Sequence, residues 1–504
     1  VTSSPSEPAR RSRPAITLAV VLAAFVTVPM SISGAAVALP GIGTALHASG
    51  GPLQWVMNAY NLTFAAFLLV AGSLADLFGR RRVFAAGAAL FAAGSVGAAL
   101  APGIAALDAT RAVAGLGGAG VFASGGAILA TAFDGAARTR AFAAMGSAAG
   151  LGLALGPTLS GWLVGGLGWR ATFALHAVML VAALAGTAFV PESRAAVRPR
   201  MDARGAVVFV TALAALVLGA VQGPQWGWAS PAVLALLVGG VALLVLFGLL
   251  QARTAAPLLD LSLLADRRFL ALCLVPVVTT FGFVTLLTYL PTYLVGAGGM
   301  SAGRAGTVML LLTAPVLAAP PVGGALVTRG ASPRAMVGLA LALFAAGDAW
   351  LTVIAPGSSA WTIAPPLLLI GTAAGLLFGI ADGLALSLVE PDRAGMASGF
   401  LNTMRLGSEA IVIAVFGAVL VSLVGTRVLH HLAGRVAAGD LTGGDRAQLA
   451  DAFTHALHVS LWGLAAVSAF GAVLIFMLLA QPRRRASSPA PAASEPAAAP
   501  AEAR

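Results

Sequence analysis

Three observations predict an all-α fold, a polytopic membrane protein crossing the bilayer fourteen times. The 504 residues are 59% hydrophobic and only 9% charged, too few polar side chains to cover a soluble surface. Apolar stretches of about 20 residues, the length a helix needs to cross roughly 30 Å of hydrocarbon, recur from Ile16 to Ala480. The breaks between them alternate between arginine-rich and charge-poor.

The spans are expected at 16–39, 53–75, 83–101, 106–130, 141–164, 169–190, 205–222, 231–251, 268–295, 302–327, 335–354, 361–387, 395–424 and 458–480. Arginines precede span 1 (Arg10, Arg11, Arg13) and recur at Arg80–Arg82, Arg138 and Arg140, Arg194–Arg204, Arg253–Arg268, Arg329 and Arg334, Arg393, and Arg483–Arg485. The loops "HASGGP", "GGLG" and "APGSSA" carry none, so the positive-inside rule places both termini in the cytoplasm. The net charge of +11 is thereby spread over loops on one side rather than gathered on one face, which argues against nucleic acid as a partner.

The tails, 1–14 and 481–504, are Pro/Ala/Ser-rich and expected to be disordered. The first apolar run is longer than the core of a signal peptide and more spans follow, so it reads as an uncleaved first helix. All 29 basic residues are arginine, and without lysine the phosphate-binding pattern G-x-x-x-x-G-K-[ST] cannot be written. The single cysteine, Cys273, excludes an intrachain disulfide, and no cofactor is expected.

Span 1 contains "VPMSISGAAVALP", with Ser31, Ser33 and Ala36 before Pro40. Span 2, "LQWVMNAYNLTFAAF", offers Asn58, Tyr60 and Asn61 as cavity-facing groups, with Trp55 as an interfacial anchor. Its far end, "GSLADLFGRRRVF", sets Gly72, Asp76 and Gly79 ahead of Arg80. A carboxylate there can meet a helix N-terminus while an arginine pairs with an acid on another helix, Asp134 being a candidate. Span 4, "RAVAGLGGAG", places Arg111 inside a helix. Its literal G-x-G-x-x-G lacks the preceding strand and the βαβ unit that a dinucleotide site requires. Span 5, "GLGLALGPTLSGWL", spaces Gly152 and Gly156 for close helix contact, and Pro157 with Gly161 permits a bend.

Spans 7 and 8 sit between two groups of six. "GSLADLFGRRR" and "GALVTRGASPR" share Gly, Leu and Arg at equal offsets, each after the second span of its group. The division is 15–190, a linker with two extra helices at 191–252, and 253–480 with an extracytoplasmic loop at 425–457. Repeated halves enclosing a midplane site are a recurring plan of secondary transporters.

The second half carries Asp348 in span 11, Asp382 in span 12 and, in "RLGSEAIVIAVFGAV" of span 13, Arg405 and Glu409. A charge at the bilayer centre costs about 2.5–3.5 kcal/mol on insertion scales and so needs a reason. Glu409, near the midplane, is the first candidate for a carboxylate that changes protonation during transport. Arg405 shares its helical face, and three readings stay open: a static local pair, a contact to an anionic substrate, or a partner in Asp348 or Asp382. The four histidines His430, His431, His455 and His458 lack the cysteine or carboxylate spacing of a metal site, so no metal is expected.

These motifs resemble the major facilitator superfamily, and within it the 14-span drug:proton antiporters that export drugs and antibiotics. The resemblance implies that Asp76 and Arg80 belong to a charge relay closing the cytoplasmic side. It implies that "GLGLALGPTLSGWL" is the antiporter signature, and that Arg111 is the family arginine of proton transfer. The chain departs from the pattern in two places: Ala114 stands where a glutamine is common, and span 1 lacks the acid and asparagine usual before Ala-Leu-Pro. Coupling would then rest on Glu409, with Arg111, Asp348 and Asp382 as further candidates.

The function this implies is proton-coupled export of hydrophobic or amphipathic small molecules by alternating access, with no enzymatic activity. Proton-coupled transport of a specific small metabolite, or a non-transporting membrane sensor of the same fold, are the alternatives. The expected partners are a small-molecule substrate, protons and lipid, and the expected setting is a monomer in the inner membrane of a bacterial cell.

Overall fold

The computed structural model describes residues 14–194, 202–254, 257–258, 265–389 and 394–480; the two tails, Arg393 and most of the arginine-rich linker lie outside this set. Among the described residues there is no strand, and fourteen helical segments are long and apolar enough to cross a membrane.

The first six are α1 (Pro14–Leu46), α2 (Gly50–Phe78), α3 (Arg80–Leu100), α4 (Ile104–Ala132), α5 (Gly135–Leu167) and α6 (Trp169–Gly186). Two more follow, α7 (Ala203–Trp226) and α8 (Pro231–Arg253). Then come α9 (Arg267–Val295), α10 (Ala302–Thr328), α11 (Pro333–Trp350), α12 (Ala360–Ser387) and α13 (Ala394–Gly425). A short α14 (His430–Ala437) precedes the last span, α15 (Arg446–Leu479). Each expected span thus matches one helix.

Polar residues in the breaks start the helices, because their side chains satisfy N–H groups that the first turn leaves open. Asp202 accepts from Gly205 N at 2.9 Å, Asp266 from Arg268 N at 2.8 Å and Asp445 from Ala447 N at 2.9 Å. Ser230 and Ser332 cap α8 and α11, each with proline at the first helical position. Asp202 also accepts from Gln251 Nε2 at 2.7 Å, tying the start of α7 to the end of α8.

The last helix begins at Arg446, well before the expected 458, because Asp445 caps it there. The segment "RAQLADAFTHAL" has too many polar residues to register as a span, yet it continues the same helix.

In the first six helices, α1 packs on α5 and α6, α2 on α4, and α3 on α4 and α6. In the later group, α10 packs on α12, α11 on α12 and α15, and α9 on α13 and α15. Between the groups, α5 meets α10, α2 meets α13 and α1 meets α9. Helix α7 lies against both α2 and α13, with α8 packed on its far side.

The contacts between the groups gather at the face opposite the arginine-rich loops. Thr158 donates to Gly306 O at 2.8 Å and Trp162 Nε1 to Thr307 Oγ1 at 3.3 Å, joining α5 to α10. A Cβ on Gly161 would run into the Ala302 carbonyl and the Gly306 Cα. Thr292 of α9 donates to Ala36 O of α1 at 3.4 Å, and α14 lies with Gly434 against the backbone of Gly50. Toward the arginine face the same pairing helices carry Gly72, Gly146, Gly150, Gly324 and Gly407, where an added Cβ meets nothing within 4 Å. The described hydrogen bonds that join the two groups thus gather toward one face.

Candidate functional site

At the heart of the first group Arg111 of α4 points inward, 1% exposed. Its Nε donates to Val56 O at 2.9 Å and its Nη1 to Ser31 Oγ at 2.8 Å, while its Cζ lies 4.2 Å from the Tyr60 ring centroid and 5.7 Å from that of Phe173. The guanidinium therefore bridges α1, α2 and α6 through neutral acceptors and ring faces. Ser31 stands in the stretch of α1 that lacks the acid expected by resemblance, and its hydroxyl accepts from Arg111 there. Tyr60 donates to Val28 O at 3.0 Å, fixing α2 on α1. Asp108, three residues before Arg111, is half-buried, with Oδ1 lacking a hydrogen-bond partner among the described residues.

Across the interface Glu409 sits halfway along α13, 7% exposed, and its Oε1 has no hydrogen-bond partner among the described residues. It lies near enough to Tyr60 for the two to interact electrostatically. Described ion pairs join Arg80 to Asp76, Arg82 to Glu192, Arg427 to Asp451 and Arg435 to Asp440. Arg405 interacts electrostatically with Glu409, and its Cζ is 5.7 Å from the Phe378 ring centroid on α12. Asp348, fully buried on α11, accepts from Ser468 Oγ of α15 at 3.2 Å, and its Oδ1 is without a partner among the described residues. Asp382 lies on α12, and its side chain falls outside the described residues. On α2, Asn58 Oδ1 and Asn61 Nδ2 are buried and without partners among the described residues.

At the arginine face, Arg80 pairs with Asp76 one turn earlier at 3.2 Å and donates to Ala127 O on α4 at 3.3 Å. Asp134 is the residue at the N-terminus of α5. Gly79 joins α2 to α3 with φ +112°, a backbone that favours glycine, and Gly330 makes the matching turn between α10 and α11 with φ +100°. On α5, a Cβ at Gly152 would strike the Val26 carbonyl and one at Gly156 the Ser33 hydroxyl, so both glycines bring α5 against α1. Pro157 and Gly161 face α10 through Gly306.

Three elements were not singled out in the sequence. Glu192 follows α6 and accepts from Arg81 N at 3.2 Å and Ser193 N at 3.1 Å, capping the start of α3; "PESR" at the edge of the linker was its signal. His176 of α6 is 1% exposed, edge-on to Phe173 at 6.4 Å between ring centroids, with both ring nitrogens unpartnered among the described residues. A lone histidine in "FALHAVML" could have marked it. The third is a π turn at Thr280–Val284 that interrupts α9, just after Pro276. Among the histidines considered for metal, His430 bonds to Pro224 O at 3.1 Å and His458 to Ile354 O at 2.7 Å.

A bundle of fourteen spans, joined between its halves at one face and holding a buried carboxylate, Glu409, on a helix that packs across the halves, is the build of a membrane transport protein. The chain belongs to the Major Facilitator Superfamily, whose family model matches residues 21–413. Multidrug resistance protein Stp of Mycobacterium tuberculosis is 33% identical over 400 residues, covering 79% of this chain and 74% of that one. The tetracenomycin C resistance and export protein of Streptomyces glaucescens is 30% identical over 420 residues, covering 82% and 77%. Among solved structures, a POT family transporter in complex with thioalcohol conjugated peptide superposes with TM-score 0.64 at 12% identity, covering 91% of this chain and 95% of that one. The protein is a transporter and not an enzyme.

Proposed function

We propose that the protein exports hydrophobic or amphipathic small molecules, antibiotics among them, in exchange for protons by alternating access. The observation that carries the coupling is the Glu409 carboxylate, buried midway along α13 where the halves meet, with Oε1 lacking a hydrogen-bond partner among the described residues. A carboxylate left so in the interior is costly when charged, so protonation and conformation are linked there. The export direction draws on the names of the resistance and export relatives.

On this reading the halves are 15–190 and 253–480, with 191–252 as the inserted pair, and Arg111, Asp348 and Asp382 support Glu409 in handling protons. Tyr60, Asn58, Asn61 and Arg405 line the substrate path. Asp76, Arg80, Gly72, Gly79 and Asp134 form the gate at the arginine face, and Gly152, Gly156, Pro157 and Gly161 form the pivot of α5. Both termini are cytoplasmic, the setting is the bacterial inner membrane, and the unit is a monomer.

Growth of a drug-sensitive bacterium with and without the protein, across a panel of apolar antibiotics, tests the export claim. Export predicts raised tolerance to at least one compound and lower accumulation of it, both abolished by an uncoupler. Unchanged accumulation across the panel would count against export.

A further inference from the structure

The π turn of α9 lies between two buried carboxylates of the second half, Glu409 and Asp348. On one side Thr280 Oγ1 is 3.4 Å from Ser408 Oγ, on the residue next to Glu409. On the other, Gly282 packs against α11 and α15: an added Cβ would be 3.0 Å from the Phe344 ring and 3.2 Å from Ser468 Oγ, the hydroxyl that donates to Asp348. Helix α9 thus touches the surroundings of Glu409 and of Asp348 through residues two apart in one irregular turn.

Such turns mark places where a helix can change its hydrogen-bond register. Here Thr285 Oγ1 donates to Thr280 O at 2.9 Å and holds the wide turn, while Pro276, one turn earlier, supplies no N–H to the ladder. The hydroxyl pair beside Glu409 has alternative arrangements. Thr280 Oγ1 reaches Pro276 O at 3.0 Å, Ser408 Oγ reaches Arg405 O at 2.9 Å, and the two hydroxyls reach each other. Two hydroxyl protons serve three contacts, so one contact is without a proton at any moment and the set can switch. The Arg405 carbonyl is the one that the helix pairs with the Glu409 N–H.

We propose that this π turn joins Glu409 and Asp348 into one proton-coupling unit, with Thr280 and Ser468 as its positioning residues. A proton from water adds to the Glu409 carboxylate, and the bonds at Ser408 and Thr280 rearrange. The shift in the turn then reaches the Ser468 donor that holds Asp348. This deepens the proton-coupled reading and rests on it.

The test uses the full-length protein in proteoliposomes, with a compound whose tolerance it confers, read by proton uptake and by infrared difference spectra of protonated carboxyl groups. The Glu409 band is the one lost in Glu409→Gln. That band is expected to shift in Asp348→Asn, in Ser468→Ala and in Thr280→Val, and to return in Thr280→Ser, which keeps the hydroxyl. Losses of proton uptake in Glu409→Gln and Asp348→Asn are expected to be non-additive in the double variant. A Glu409 band indifferent to Asp348→Asn and Thr280→Val, with additive losses, would overturn the unit while leaving proton coupling intact. Substrate movement with no proton uptake in the unmodified protein would overturn both.

Discussion

Nη1 of Arg111 donates to the Ser31 hydroxyl at 2.8 Å, so a neutral side chain on α1 serves the buried guanidinium of α4. Removing that hydroxyl leaves a buried charged donor short of an acceptor, at a cost of about 1–3 kcal/mol. Ser31→Ala is therefore expected to lower the melting temperature in detergent, and Ser31→Thr, which keeps the hydroxyl, to hold it near that of the parent. Equal melting of all three would show that the bond is dispensable.

The contact of α5 with α1 depends on the absence of a Cβ. In Gly152→Ala the new methyl meets the Val26 carbonyl, so the helices must separate, at about 1–3 kcal/mol. Gly146→Ala and Gly150→Ala, on the same helix with open space around them, are expected to be neutral or to stabilise by up to about 1 kcal/mol. Thermal unfolding of the three variants side by side checks the contrast.

At the arginine face, Gly79 combines φ +112° with a Glu192 carboxyl standing where a Cβ would go. Gly79→Ala should cost about 1–2 kcal/mol from the backbone alone. Glu192→Ala removes the acceptor at the start of α3, worth about 0.5–2 kcal/mol as a cap. Hydrogen exchange at Arg81 and its neighbours is expected to quicken in Glu192→Ala and to stay slow in Glu192→Gln. Identical exchange in all forms would contradict the role of Glu192 as the cap of α3.

Outside the membrane, Asp440 follows α14. Burial pushes its carboxyl up, but hydrogen bonds from Thr442 and the Arg435 guanidinium outweigh it, and the net shift is downward. Its stabilising contribution is therefore full above the ordinary carboxylate value of about 3.9 and is lost as pH falls through the lower folded value. Proteolysis between α14 and α15 should stay slow at neutral pH and accelerate only under strongly acidic conditions. In Asp440→Asn it should be fast throughout, and a pH-independent rate equal in both proteins would contradict the assignment.

The spans were legible because the bilayer imposes length and apolarity on each helix. Local spacing also disclosed the turn at Gly79 and the packing glycines of α5. Partnerships across helices were less accessible. Asp76 and Asp134 are both near Arg80 in any topology, and only the geometry selects Asp76, one helical turn away. Arg405 and Glu409 share a helical face in sequence and interact electrostatically in the structure, but that Arg405 also lies over Phe378 of α12 was not readable from spacing. The π turn of α9 shifts the hydrogen-bond register without changing composition, so apolar periodicity passes straight through it. Ser31 presents the converse case. The missing acid was visible in the sequence, and the bond of Ser31 to Arg111 was not.

Proton counterflow in proteoliposomes, measured for the unmodified protein and for Glu409→Gln with the same exported compound, tests the central claim most directly. The account predicts that substrate addition moves protons in the unmodified protein, and that Glu409→Gln, folded and still binding substrate, moves none. Undiminished proton movement in Glu409→Gln would contradict it.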